Sequence, residues 1–174
     1  MVGDAGATAV AHSDPERYPF LLLSTLLGGG MSSRLFQRVR EEMGLAYAIY
    51  TFQSFHADSG MHGVYVATAP ESAGEALDAI RHELQEVVDD GLPPDEVAMG
   101  RQQLKGQVTL SLESVSSRMY RAASVELYDE PYRTLDEVLA LIDAITVDDV
   151  ARVARAYFDP ARLTVVTLGP KGTD

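Results

Sequence analysis

Hydrophobic positions recur along the chain with two periods, and each change of period marks an element. After a start of small residues, MVGDAGATAV, the run Phe20-Leu21-Leu22-Leu23 with Leu26 and Leu27 is too rich for a surface helix. It predicts a largely buried helix over about 14–27. Ser13-Asp14-Pro15-Glu16 has the S-x-x-E form of a capping box, and Gly28-Gly29-Gly30 stops the run. Pro19 is expected to kink this helix or delay its start. Ser32 or Ser33 caps a second helix running to about Met43, with Gly44 as the left-handed residue that ends it.

From Leu45 the pattern alternates. Leu45 to Phe55 and Met61 to Thr68 are rich in Tyr, Val, Ile and Phe around Asp58-Ser59-Gly60, which predicts a β-hairpin. Helical spacing returns over Glu71 to Asp90, through Ala76, Leu77, Ile80, Leu84, Val87 and Val88, and Gly91 ends it. Pro93-Pro94-Asp95 opens another helix toward Glu113, with Ser114 to Tyr128 as its continuation or a separate helix. Leu135 to Ile145 and Val147 to Phe158 make two more, the last capped by Thr146 with Asp148-Asp149. Arg162 to Leu168 is a final strand, ending at Gly169-Pro170. Only the beginning resists assignment: Thr8 to Ala11 suits a short strand, but Gly3 and Gly6 make it a poor one.

Helices, an antiparallel hairpin, more helices and a last strand define an α+β class, with helices on one face of a sheet. The expected organisation is a weak segment over 1–12, a remnant of a first strand, then one domain over 13–170 and a tail over 171–174. A chain of 174 residues buries enough apolar surface to fold without disulfides or a structural metal. Its lack of cysteine removes thiolate metal sites, iron–sulfur clusters and cysteine nucleophiles from consideration. A net charge of −12 argues against nucleic acid, whose phosphates need a concentrated basic face. No apolar run is long enough to span a membrane, and the start has no basic n-region of a signal peptide. A cytoplasmic setting is therefore expected; arginine far in excess of lysine, with abundant alanine, suggests a bacterial source.

Few motifs carry chemistry. His82-Glu83-Leu84-Gln85-Glu86 begins like the H-E-x-x-H zinc helix, but Glu86 stands where the second imidazole belongs, so His82 reads as part of a solvated face. His56 and His62 flank the hairpin turn near Asp58, and a metal site there is the weaker of two readings against a chance pairing. His12 lies in an irregular stretch and supports no site. The triple glycine joins two helices instead of leaving a strand, which makes it a helix stop more readily than a phosphate cradle. There remain Arg40, in the last turn of its helix, and Tyr47, just inside the next strand. Both donate hydrogen bonds, and together they suit a peptide carbonyl or an oxyanion; the bland alternative is an arginine serving only the helix dipole and Glu41 and Glu42.

The segment GGGMSSRLFQRVREEMGLAYAIY strongly resembles the second-half domain of the insulinase/pitrilysin/mitochondrial-processing-peptidase family of zinc metallopeptidases. The likeness runs from about His12 to Gly169 and includes the G-L-P-P-D-E helix start and the T-V-D-D-V helix. It implies one shell of a clam-like pair of α+β domains around a peptide chamber. The zinc and the H-x-x-E-H motif would belong to the other half, so no cofactor is expected in this chain. Arg40 and Tyr47 match the arginine and tyrosine, seven positions apart, that the second domain lends to substrate binding and to the reacting carbonyl. The implied partners are a zinc-bearing homologous half-domain or subunit and a peptide substrate. The weak beginning departs from the family, whose second domains open with a firm strand; it suggests an abridged domain whose bare sheet edge leaves a homo-oligomer open. An inactive assembly subunit of the same family is the alternative function.

Overall fold

A computed structural model of the chain describes residues 1–170, so the expected tail over 171–174 lies outside the described residues. Four strands, β1 (Val2–Ala9), β2 (Ala48–Phe55), β3 (Gly60–Ala67) and β4 (Thr164–Leu168), form one antiparallel sheet in the order β2-β3-β1-β4. Among the described residues six α-helices accompany it: α1 (Arg17–Gly28), α2 (Ala73–Asp90), α3 (Pro94–Ser111), α4 (Val115–Leu127), α5 (Leu135–Asp143) and α6 (Val147–Tyr157). The class is α+β, as the pattern predicts.

The beginning of the chain corrects the expectation. Val2–Ala9 is a full central strand, paired with β3 along its whole length and with β4 along Val2 to Gly6. The glycines that weaken it as an isolated segment are what let it fit. Gly6 lies opposite Gly63, and a methyl group on Gly6 would stand 2.8 Å from the His62 carbonyl oxygen. One on Gly63 would stand 2.7 Å from the Phe52 ring, which lies across that bare strip. Strand propensity measured without neighbours misses this, because the neighbours set the requirement.

Alternation assigns the two faces. Ala5, Ala9, Ile49, Val64 and Val66 are buried beneath the helices, while Tyr50, Met61, Val166 and Leu168 on the other face are exposed. Tyr50 and Tyr65, directly opposite across β2 and β3, stack with ring centroids 4.7 Å apart. The core centres on α1, which packs against β2, α3 and α6. Phe20, Leu22, Leu23 and Leu27 of α1 are wholly buried, and Phe20 meets Phe158 at 5.0 Å between ring centroids. Complete burial explains why α1 is apolar nearly all round.

The helix ends follow local chemistry. The S-x-x-E box over 13–16 does not form: Asp14 Oδ1 accepts from the Glu16 backbone N–H, and α1 starts only at Arg17. Pro19 thereby falls in the first turn, where its missing N–H costs no helical bond. Capping boxes form instead at Thr134 with Glu137 and at Thr146 with Asp149. Ser114 caps α4 by accepting from the Ser117 N–H, which separates it from α3. Among the described residues no helix is long and apolar enough to cross a membrane.

Candidate functional site

The stretch from Gly28 to Tyr47 is built in three steps. At its start, Gly28 presses against β2 so closely that an added methyl group would lie 2.4 Å from the Thr51 backbone nitrogen. Thr51 Oγ1 donates to the Ser24 carbonyl at 2.8 Å, and Ser24 Oγ donates to Gln53 Oε1 at 2.8 Å. The first glycine of the three is thus a packing device between α1 and the edge strand. Ser33 spends its hydroxyl on the Gly30 carbonyl at 2.6 Å.

Next comes a helical segment of wider bore. Phe36–Glu42 is a π-helix, with the Met43 N–H reaching the Arg38 carbonyl five residues back at 3.1 Å. The helix expected from Ser32 or Ser33 to Met43 is present in place but not in winding. Arg34, just before it, ties it down: the guanidinium donates to Glu96 on α3 through Nε at 2.9 Å and to Glu83 on α2 at 3.4 Å. Burial pushes the Glu83 carboxyl up from its ordinary value, against the pull of Arg34 and Arg38. The glutamate of the H-E pair therefore turns inward to an arginine, while His82 stays exposed beside Glu86.

Finally, Gly44 takes φ +65°, the left-handed conformation expected of it, and reverses the chain into β2. The Leu45 N–H bonds the Val39 carbonyl, Thr68 Oγ1 donates to the Leu45 carbonyl, and the Tyr47 N–H bonds the Ala67 carbonyl at 2.8 Å. These bonds hold the helix end against the start of an edge strand.

Arg40 and Tyr47 stand on either side of this turn. Arg40 rests its guanidinium 4.6 Å over the Phe36 ring, with Glu41 Oε1 at 3.8 Å. Tyr47 is 73% exposed, and its hydroxyl has no protein partner among the described residues. No hydrogen bond joins the two side chains. The arrangement offers to solvent a phenol at the start of the edge strand β2 and a guanidinium on the helix end that leads into it, both of them hydrogen-bond donors.

The histidines part company. His62 is 4% exposed on the helix-facing side of β3, its ring against Phe158 at 4.3 Å and its Nε2 bonded to the Tyr157 carbonyl at 3.0 Å. Burial lowers its pKa to about 4, with the Tyr157 bond opposing weakly. His56 is exposed near Ser54, so the two imidazoles do not converge on Asp58. His12, which the sequence offered no reason to select, bonds Glu130 at 2.9 Å and stacks on Tyr128 at 3.7 Å. A separation of 118 residues hides that cluster from any local motif. Among the described residues no group of three His, Cys, Asp or Glu side chains is gathered to hold a metal ion, so zinc finds no ligand set here.

Comparison with known proteins identifies the fold and its family. The family described as "Peptidase M16 inactive domain" matches residues 6–104. The chain is 42% identical over 165 residues to the uncharacterized zinc protease SCO5738 of Streptomyces coelicolor, covering 95% of this chain and 36% of that protein. Among solved structures, a Pseudomonas fluorescens peptidase M16 inactive domain superposes with a TM-score of 0.83 at 20% identity, over 94% of this chain and 39% of that one. A Helicobacter pylori protease does so with 0.86 at 23%, over 97% and 41%. The chain spans about a third of the length of the curated relatives it matches. On the strength of the matched family and of relatives that are bacterial zinc proteases, the chain belongs to the peptidase M16 inactive-domain family.

Proposed function

We propose that this domain is the substrate-binding half of an M16-type zinc peptidase and hydrolyses nothing alone. The observation that carries the reading is the placement of Tyr47 at the start of the edge strand β2, with Arg40 on the helix end that leads into it. An extended peptide laid along that edge would satisfy the strand's free N–H and C=O groups, and backbone pairing of this kind tolerates many side chains. Arg40 would bind a substrate carbonyl or carboxylate. Tyr47 would donate its O–H to the oxygen that gains charge as the carbonyl becomes tetrahedral. A homologous half carrying H-x-x-E-H would bring the zinc and the base; among the described residues no ligand cluster substitutes for them.

The test is reconstitution. This chain is mixed with a zinc-bearing half from an M16 relative, and cleavage of a quenched fluorescent peptide is followed. Tyr47→Phe is expected to lower kcat by roughly 10²-fold, the usual consequence of removing one oxyanion donor. Arg40→Ala is expected to raise KM more than it lowers kcat. Cleavage indifferent to both substitutions would remove these roles, and stable pairing without cleavage or peptide affinity would favour an assembly subunit.

A further inference from the structure

A second site lies away from the sheet edge, among the start of α1, the end of α3, α4 and the loop before α5. There a cavity of about 210 Å³ opens to solvent, and Arg17, Arg121 and Arg133 line it together with His12 and Glu130. At about 30 Å³ per water, that volume equals several waters or a small organic molecule. Three of the chain's arginines thus meet one carboxylate in a protein whose net charge is −12.

Glu130 cannot neutralise them all. Its two oxygens already face Arg17 at 3.2 and 3.4 Å, Arg133 at 3.4 Å and His12 at 2.9 Å. Burial pushes the Glu130 carboxyl up, but the His12 bond and the charges of Arg17 and His12 outweigh it and leave it below its ordinary value. Arg121 is half-buried and has no carboxylate within ion-pair distance among the described residues. Its NH2 donates to the Arg133 backbone carbonyl, and its guanidinium lies 5.6 Å from the Tyr132 ring. A half-buried guanidinium that shares a solvent-open cavity with two others, and lacks a counter-charge, is positioned to accept an anion. The remaining wall is apolar at Val108, Leu112 and Val125, with Ser111 and Ser124 adding hydroxyls.

From this we infer that the cavity is a binding site for a small anion whose phosphate or carboxylate head pairs with Arg121 and Arg133. Arg121 is the primary contact; Arg133 touches Glu130 through NH1 alone and is the more exposed of the two arginines that Glu130 holds, so its other N–H groups add a second contact, whereas Arg17, bound to both Glu130 oxygens, supplies field more than contact. The site is separate from Arg40 and Tyr47 in sequence and fold position, so it stands whether or not the edge of β2 binds peptide.

Isothermal titration with inorganic phosphate and with butyrate, at matched ionic strength in chloride, tests the inference and separates the two head groups. Saturable one-to-one binding of either probe is expected, with Arg121→Gln weakening it at least tenfold. Arg118→Gln removes the same charge from the same helix at an exposed position outside the cavity, and is expected to leave affinity within twofold. Phosphate binding without butyrate binding would assign a phosphate ligand, and the reverse a carboxylate. No saturable binding of either probe, or equal loss in Arg118→Gln and Arg121→Gln, overturns the site.

Discussion

His62 gives the fold a calculable sensitivity to acid. In the folded chain its imidazole is enclosed by Phe20, Phe158 and the Tyr157 carbonyl, and its pKa falls from 6.5 to about 4 because burial disfavours the charged ring. Between those two values the unfolded chain takes up a proton that the folded chain refuses. Stability from this group is therefore complete above pH 6.5, declines as pH falls, and levels off below about 4. At about 1.4 kcal/mol per pKa unit, the whole interval is worth about 3 kcal/mol. His62→Gln provides the reference, since glutamine keeps a donor for the Tyr157 carbonyl and does not titrate. Urea unfolding followed by circular dichroism at pH 7, 5.5 and 4 yields both stabilities. Carboxylates such as Glu130 and Asp149 titrate in both proteins and cancel in the difference. The wild-type advantage over His62→Gln is expected to shrink by about 3 kcal/mol from pH 7 to pH 4. Parallel curves for the two proteins would refute the assignment of a buried neutral imidazole.

Two further perturbations test how the stretch before the sheet edge is held. Arg34→Ala leaves Glu83, only 9% exposed, without its nearest cation, and is expected to cost about 2 kcal/mol in urea unfolding at pH 7, somewhat under the value for a fully buried pair. Arg38→Ala breaks only the exposed contact to Glu42 and a 4.0 Å approach to Glu83, and is expected to stay within about 0.5 kcal/mol. Gly28→Ala drives a methyl group into the Thr51 backbone and should cost about 1–3 kcal/mol. Gly30→Ala meets nothing nearer than the Gln103 side chain at 3.5 Å, and its midpoint should barely move.

Much of the fold is legible because local periods and tertiary demands agree. The hairpin of β2 and β3, the left-handed Gly44, and α6 with its Thr146 box all need only neighbours in sequence to specify them. Failures occur where a residue answers to a distant partner. Gly6 reads as a flaw in β1 until Gly63 and Phe52 are set beside it. Glu83 reads as one more charge on a solvated helix until Arg34 arrives from the π-helical segment. His12 has no meaning without Glu130 and Tyr128. Arg40 and Tyr47 are a special case: a helix end followed by a strand start singles them out as two donors, but the roles in substrate binding and at the reacting carbonyl came only from resemblance to a family.

The position of β1 bears on how such a domain is made. Val2 pairs with Ala67 on one side and with Leu168 on the other, so the earliest strand of the chain completes its pairing with the latest described one. During synthesis β1, α1 and the hairpin emerge first, but the flank reserved for β4 stays bare while five α-helices are still being added. That interval is a period of exposure to strand-to-strand aggregation, and closure across so long a loop is slow. A nascent chain stopped before Thr164 would hold its hydrophobic helices over an unfinished sheet. The last five residues of the sheet therefore close the flank of its first strand, and their loss is expected to lower the domain's soluble yield.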